Sequence, residues 1–353
     1  MRHIVKVLAP ACALVAVVAL ATPSEAVFSA NETWTSNPYF GNYDTQFTDV
    51  TGDGLADAIA INDTGITVRR STGSLFSGNE AWTSGPYYGS NSTQLADVTG
   101  DGRADAIAIN DTGITVRRST GAAFAANETW TANPYFGNYG TYFADVTGDG
   151  RADAIAVNNT GITIRRSTGS LFSGNEAWTS GPYYGSQPPY EVFADVTGDD
   201  LADAIVVNSE GITVRRSNGS TFTANETWTS NPYGGDRAPF GAFTDVTGDD
   251  LADAIVVNSE GVTVRRSNGT AFTANETWTS DPYYGEHAPR RRVRRRDRRR
   301  PGRRHRGQQH RHNRPPLRLT GRPADRQTVE RARAAPLHGE PPSPGAPEAL
   351  PRR

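Results

Sequence analysis

The chain predicts an all-β fold assembled from small repeated units, and three observations carry that prediction. A nonapeptide, Asp-Val-Thr-Gly-Asp-(Gly or Asp)-x-Ala-Asp, begins at Asp49, Asp97, Asp145, Asp195 and Asp245, at intervals of 48, 48, 50 and 50 residues. Each copy is followed by two short β-branched or apolar runs flanking a turn, and then by a segment carrying Trp. Repeats of this length are single supersecondary units whose cores are completed by stacking on their neighbours.

In chain order, the first element is a leader. Arg2, His3 and Lys6 precede an apolar stretch from Val7 to Ala21, and Ser24-Glu25-Ala26 offers small residues at a cleavage site. Residues 1–26 therefore read as a signal peptide, and the expected location is secreted, outside the cell. That stretch is too short and too early to remain as a membrane span, and no later segment is apolar enough to be one. Cys12 is the single cysteine, so an exported chain would be stabilised by something other than disulfides. Next comes Phe28 to Tyr43, a Trp segment without a loop of its own.

Within each repeat the nonapeptide places oxygen atoms at alternate positions around a tight turn, which is how short loops wrap a calcium ion. In the first copy the expected ligands are Asp49, the Thr51 hydroxyl, Asp53, the Leu55 carbonyl and Asp57. In the second they are Asp97, Thr99, Asp101, the Arg103 carbonyl and Asp105, and in the third Asp145, Thr147, Asp149, the Arg151 carbonyl and Asp153. The fourth has Asp195, Thr197, Asp199, the Leu201 carbonyl and Asp203, and the fifth Asp245, Thr247, Asp249, the Leu251 carbonyl and Asp253. A turn capped by Asp with no metal is the alternative, since Asp, Thr and Gly form turns unaided. Calcium is favoured because three neighbouring carboxylates repel and no Lys or Arg is a constant member of the loop. Gly54 occupies a position expected to need positive φ. Asp200 and Asp250 replace it in the last two copies, and Asp tolerates that region better than most residues.

After the loop, Ala58 to Ile61 and Gly65 to Val68 read as a hairpin around Asn62-Asp63-Thr64-Gly65. Phe76 to Trp82 supplies a third segment. A fourth strand, such as Gln94-Leu95-Ala96, leads into the next loop. Four strands in about 48 residues is the content of one propeller blade.

The run Asp-Val-Thr-Gly-Asp-Gly-Arg-Ala-Asp-Ala-Ile-Ala-Ile-Asn resembles the FG-GAP or VCBS repeat of integrin α heads, secreted bacterial proteins and some lectins. The resemblance covers roughly residues 27 to 287 and implies a β-propeller with structural Ca2+ at its blade loops. Thr at the third loop position departs from the Asp or Asn usual in that family, which implies weaker sites. The propeller is expected over residues 27–289.

The formal net charge of −2 hides two opposed parts. From residue 288 onward there are 21 Arg and 5 acidic residues, about +16, which leaves about −18 for the rest. A basic arm of this kind ordinarily suggests nucleic-acid binding, but its origin argues otherwise. A sixth loop is due at residue 295, and residues 295–316 read RRDRRRPGRRHRGQQHRHNRPP. Codons for that string, shifted by one base, also encode DVTGDGRADAIVVNNTGITVR, a further copy of the repeat. Residues 290–353 are thus expected to be a disordered tail translated out of frame, with no specific nucleic-acid role. The unshifted form is expected to have six or seven blades, and the N-terminal Trp segment to complete one blade with the lost sixth loop.

Little points to catalysis. The six His residues are His3, His287, His305, His310, His312 and His338, so none lies in a blade, and the Asp clusters are accounted for as loops. A glycoside hydrolase built on carboxylate pairs is the weaker alternative. The sequence favours a lectin-like binding or adhesion module, with glycans or extracellular proteins as partners, over a scaffold that holds calcium alone. Candidate ligand-binding aromatics are Trp34 with Tyr39, Trp82 with Tyr87, Trp130 with Tyr135, Trp178 with Tyr183, Trp228 with Tyr233 and Trp278 with Tyr283; packing between blades is the competing use of the same rings. Of each adjacent Arg pair, such as Arg69 and Arg70, one is expected to meet an acid and the other solvent.

Overall fold

The computed structural model describes residues 28–187, 190–236 and 241–280. They form five four-stranded antiparallel sheets, each a blade with its strands in sequence order. Blade one comprises β1 (Asp44–Thr48), β2 (Asp57–Asn62), β3 (Gly65–Arg69) and β4 (Glu80–Ala81). Blade two comprises β5 (Ser92–Ala96), β6 (Asp105–Asn110), β7 (Gly113–Arg117) and β8 (Glu128–Thr131), and blade three β9 (Gly140–Ala144), β10 (Asp153–Asn158), β11 (Gly161–Arg165) and β12 (Glu176–Ala177). Blade four follows with β13 (Glu191–Ala194), β14 (Asp203–Asn208), β15 (Gly211–Arg215) and β16 (Glu226–Thr227), and blade five with β17 (Gly241–Thr244), β18 (Asp253–Asn258), β19 (Gly261–Arg265) and β20 (Glu276–Thr279). The first strand of each blade touches the first strand of the next, from β1 through β17, so the blades succeed one another around an inner ring as a β-propeller. Tyr283 and residues 281–353, including the tail and the sixth loop position, lie outside the described residues, as do residues 1–27 with the leader.

The second strand is buried on both faces, which explains its alternation of Ile or Val with Ala rather than with polar residues. One face of each blade carries Val, Ile and Trp, and the next blade answers with Ala and Phe. Val50, Ile59, Ile61 and Trp82 of blade one pack on Ala104, Ala106, Ala108 and Phe124 of blade two. The same arrangement joins blades two to three, three to four and four to five. Large side chains on one face and small ones on the other keep the blades at sheet-packing distance while filling the space between them.

Two hydrogen bonds repeat at every boundary. The Ala104 amide donates to the Asp49 carbonyl at 2.8 Å, and the Ser119 hydroxyl donates to the Val50 carbonyl at 2.5 Å. Their equivalents tie Ala152 and Ser167, Ala202 and Ser217, and Ala252 and Ser267 to the preceding blade. Burying a backbone carbonyl between blades is tolerable only with such a donor in place.

Candidate functional site

Two features are the candidates for function: the Asp loop, which repeats in every blade, and a groove at the boundary between blades four and five.

In the loop, the first Asp organises the turn. Asp49 Oδ1 accepts from the amides of Thr51 and Gly52, and Oδ2 accepts from the amide of Gly54. Burial works against the charged form, but these amide bonds hold its carboxyl below the usual range. The ninth-position Asp is fully buried and reaches in both directions: Asp57 accepts from Val50 N at 3.1 Å and from Ser71 N at 2.8 Å. Burial, aided by the neighbouring carboxylates of Asp101 and Asp97, pushes Asp105 up to about 7. Asp153 and Asp203 rise to about 6 and about 7, again mainly through burial. The sixth position has φ of +82° at Gly54 and of +63° and +65° at Asp200 and Asp250. A Cβ at Gly54 meets nothing within 4 Å, which is why Asp fits there.

Tested against calcium, this geometry divides. Each expected side-chain ligand is brought into one turn, and the fifth- and first-position carboxylates are close enough to destabilise the ninth. The oxygens are also satisfied from within, and Arg103 and Arg151 each donate to the fifth-position Asp of their own loop, at 2.6 and 2.5 Å. Among the described residues no three acid or His side chains converge as they stand into a metal-binding group.

At the boundaries, Trp82, Trp130, Trp178, Trp228 and Trp278 are buried to within 6% of full burial. Each ring meets a Phe edge on, as Trp82 does Phe124 at 5.2 Å, while its Nε1 donates to the Glu two residues earlier. The hydroxyl of Tyr87 is shared between the carbonyls of Ala106 and Thr115 in the next blade, and Tyr135, Tyr183 and Tyr233 repeat the contact. Trp34 and Tyr39 occupy the same positions against blade one, half-buried. The described rings from Trp82 to Trp228, with Tyr87 to Tyr233, pack in the clusters between blades. The Arg pairs differ from expectation in one respect. Arg70 pairs with Glu80, as its equivalents do in each blade, but its neighbour Arg69 lies over the Tyr39 ring at 4.4 Å instead of facing open solvent. Arg117, Arg165, Arg215 and Arg265 cover Tyr87, Tyr135, Tyr183 and Tyr233 in the same way.

The outer end of the boundary is a groove. Between blades four and five it is an open recess of about 430 Å³ lined by Trp228, Ser230, Asn231, Arg265, Phe272 and Asn275, among others. Arg265 Nε donates to Asn275 Oδ1. At two other boundaries the equivalent nitrogens, Arg117 Nε and Arg215 Nε, are buried without a partner among the described residues. Asn275 was not singled out in the sequence, although Asn-Glu stands at the same place in every repeat, from Asn79-Glu80 to Asn275-Glu276.

Fold and site together define a β-propeller of repeated Asp-turn blades with a groove at the boundary of blades four and five. The FG-GAP-like repeat family matches residues 49–108 and 97–156, so the chain carries FG-GAP-like repeats. No curated protein matches it in sequence. Among solved structures it is similar to a lectin from Agrocybe aegerita described as recognising non-reducing terminal N-acetylglucosamine, at 22% identity and TM-score 0.52, over 67% of this chain and 66% of that one. It is also similar to the Photorhabdus luminescens Tc holotoxin pore, at 16% identity and TM-score 0.49, over 70% of this chain and 12% of that one. The chain thus spans just under two thirds of the lectin and a small part of the toxin assembly. Among the described residues no helix is long and apolar enough to cross a membrane.

Proposed function

We propose that the protein is a secreted, non-enzymatic binding module that takes glycan termini in its boundary grooves. The groove lined by Trp228, Asn231, Arg265 and Asn275 carries this reading. Its volume suits one or two sugar rings, and it offers amide and guanidinium groups to hydroxyls beside the edge of an aromatic ring. The repeat supplies the Trp, Arg and Asn-Glu positions at every described boundary, with Asn231 matched by Asn133 but replaced by Gly85 and Gly181, so weak sites of unequal strength would act together on a multivalent surface. The fold shared with an N-acetylglucosamine-binding lectin supports that sugar as the first to try.

Calcium belongs to the same proposal as a stabilising ion. The acidic loops and the raised ninth-position carboxylates support it, whereas the internal amide bonds and the Arg contacts to Asp101 and Asp149 compete with it. Binding should therefore be weak, about 10⁻⁴ to 10⁻³ M. A glycan array probed with and without chelator tests both parts. Selective retention of N-acetylglucosamine-terminated glycans supports the reading, and a blank array in calcium rejects it in favour of a scaffold.

A further inference from the structure

The faces of blades one and five that do not meet another complete blade are built like the boundaries that do. On blade five, Val246, Ile255 and Val257 are half-exposed, whereas Val196, Ile205 and Val207 of blade four are within 1% of full burial. The seventh loop residue of each following blade covers a glycine in the blade before it: Arg103 lies over Gly52, Arg151 over Gly100, Leu201 over Gly148 and Leu251 over Gly198. Gly248 of blade five meets nothing within 4 Å. On blade one, Ala56 is exposed, while its equivalents Ala104, Ala152, Ala202 and Ala252 are buried. Ser71 donates to no carbonyl among the described residues, whereas its four equivalents each bond the blade before. The inner strands β1 and β17 do not touch.

The N-terminal segment stands between these faces. Phe28 packs edge on against Trp278 of blade five at 5.0 Å, the contact that Phe124 makes with Trp82. Six residues later Trp34 packs on Phe76 of blade one at 5.3 Å, and its carbonyl accepts from the Phe76 amide. The segment therefore serves blade five as a following blade and blade one as a preceding blade. It corresponds to the outer strand of a blade, yet Glu32 and Thr33 are not in a strand, unlike Glu80 and Ala81, because no third strand lies beside them.

We infer that the ring has six places and that the seam between blades five and one is a docking site for the three inner strands of a sixth repeat. The occupant is named by the chain itself. The one-base shift that recovers the loop from residues 295–316 also lets Arg290 to Arg294 encode Val-Gly-Ala-Phe-Ala, whose last four residues match the first strand Gly241 to Thr244 at three positions, with Ala in place of Thr244. The recovered segment, VGAFADVTGDGRADAIVVNNTGITVR, places Arg at the seventh loop position to cover Gly248 and Ala beside Val246 and Ile255. Its own Val and Ile side chains would cover Ala56.

The test adds this segment as a synthetic peptide to the full-length chain, with a frame-restored chain as a second arm. Amide hydrogen exchange and melting are read in both. The peptide should bind saturably where a scrambled one does not. In either arm exchange at Ala56 and at Glu32 to Trp34 should slow by more than about tenfold, and Tm should rise by at least about 5 °C. The frame-restored chain should no longer bind the peptide. If neither arm protects Ala56, or if the peptide protects some other surface, the inference is overturned.

Discussion

At the residue scale, a small set of repeated contacts holds the blades together. Trp130 fills the boundary between blades two and three, and Trp130→Ala should cost about 3–5 kcal/mol in a urea titration. The buried tyrosines fix the alkaline limit. Burial raises Tyr87 to about 12 and Tyr233 to about 12. A phenol whose pKa is higher folded than unfolded stabilises the fold fully below its unfolded pKa, near 10, and that contribution disappears as pH rises through the folded value. Melting temperature should thus fall between about pH 10 and pH 12, and less steeply in a Tyr87→Phe variant. Several of these roles were legible in the sequence. The positive φ at Asp200 was readable because Asp replaces Gly at a fixed turn position. The place of Arg69 over Tyr39 was not, since strand alternation gives the face of a side chain but not what the adjoining blade presents to it.

At the scale of the element, the hairpin of β2 and β3 lies within a residue of where the apolar runs place it, because those runs are bounded by the Asp loop and by Asn62 to Gly65. The last strand is shorter than the Phe76 to Trp82 segment suggests: only Glu80–Ala81 pairs in regular register in blade one, while the amides of Trp82 and Thr83 both turn to the Ile66 carbonyl. The loops join elements within a blade and across blades. Replacing both Asp149 and Asp153 by Ala removes the acceptor of the Arg151 amide and the buried acceptor of Val146 N and Ser167 N in blade three, which has neighbours on both sides. The loss in urea stability should exceed that of the same pair of changes in blade five, where one side is already open. Equal losses would mean that blades do not support one another in the nearest-neighbour way.

For the whole molecule, repetition explains both what was legible and what was not. A period of about 50 residues with four strand signals specifies blades, and the fold follows. The candidate grooves were hidden because they form only where two blades meet, so their lining residues lie about 45 residues apart in sequence; the constant Asn-Glu pair was the one available signal. If the loops take calcium, chelator should lower Tm and millimolar calcium restore it. An unchanged Tm would leave the loops as Asp-capped turns and remove calcium from the account.

Isothermal titration with an N-acetylglucosamine-terminated oligosaccharide tests the central claim most directly. The account predicts more than one weak site per chain, with the heat reduced by one site's share in an Asn231→Ala, Asn275→Ala variant whose Tm matches the parent. Absence of binding, or binding unaffected by those two changes, would contradict it.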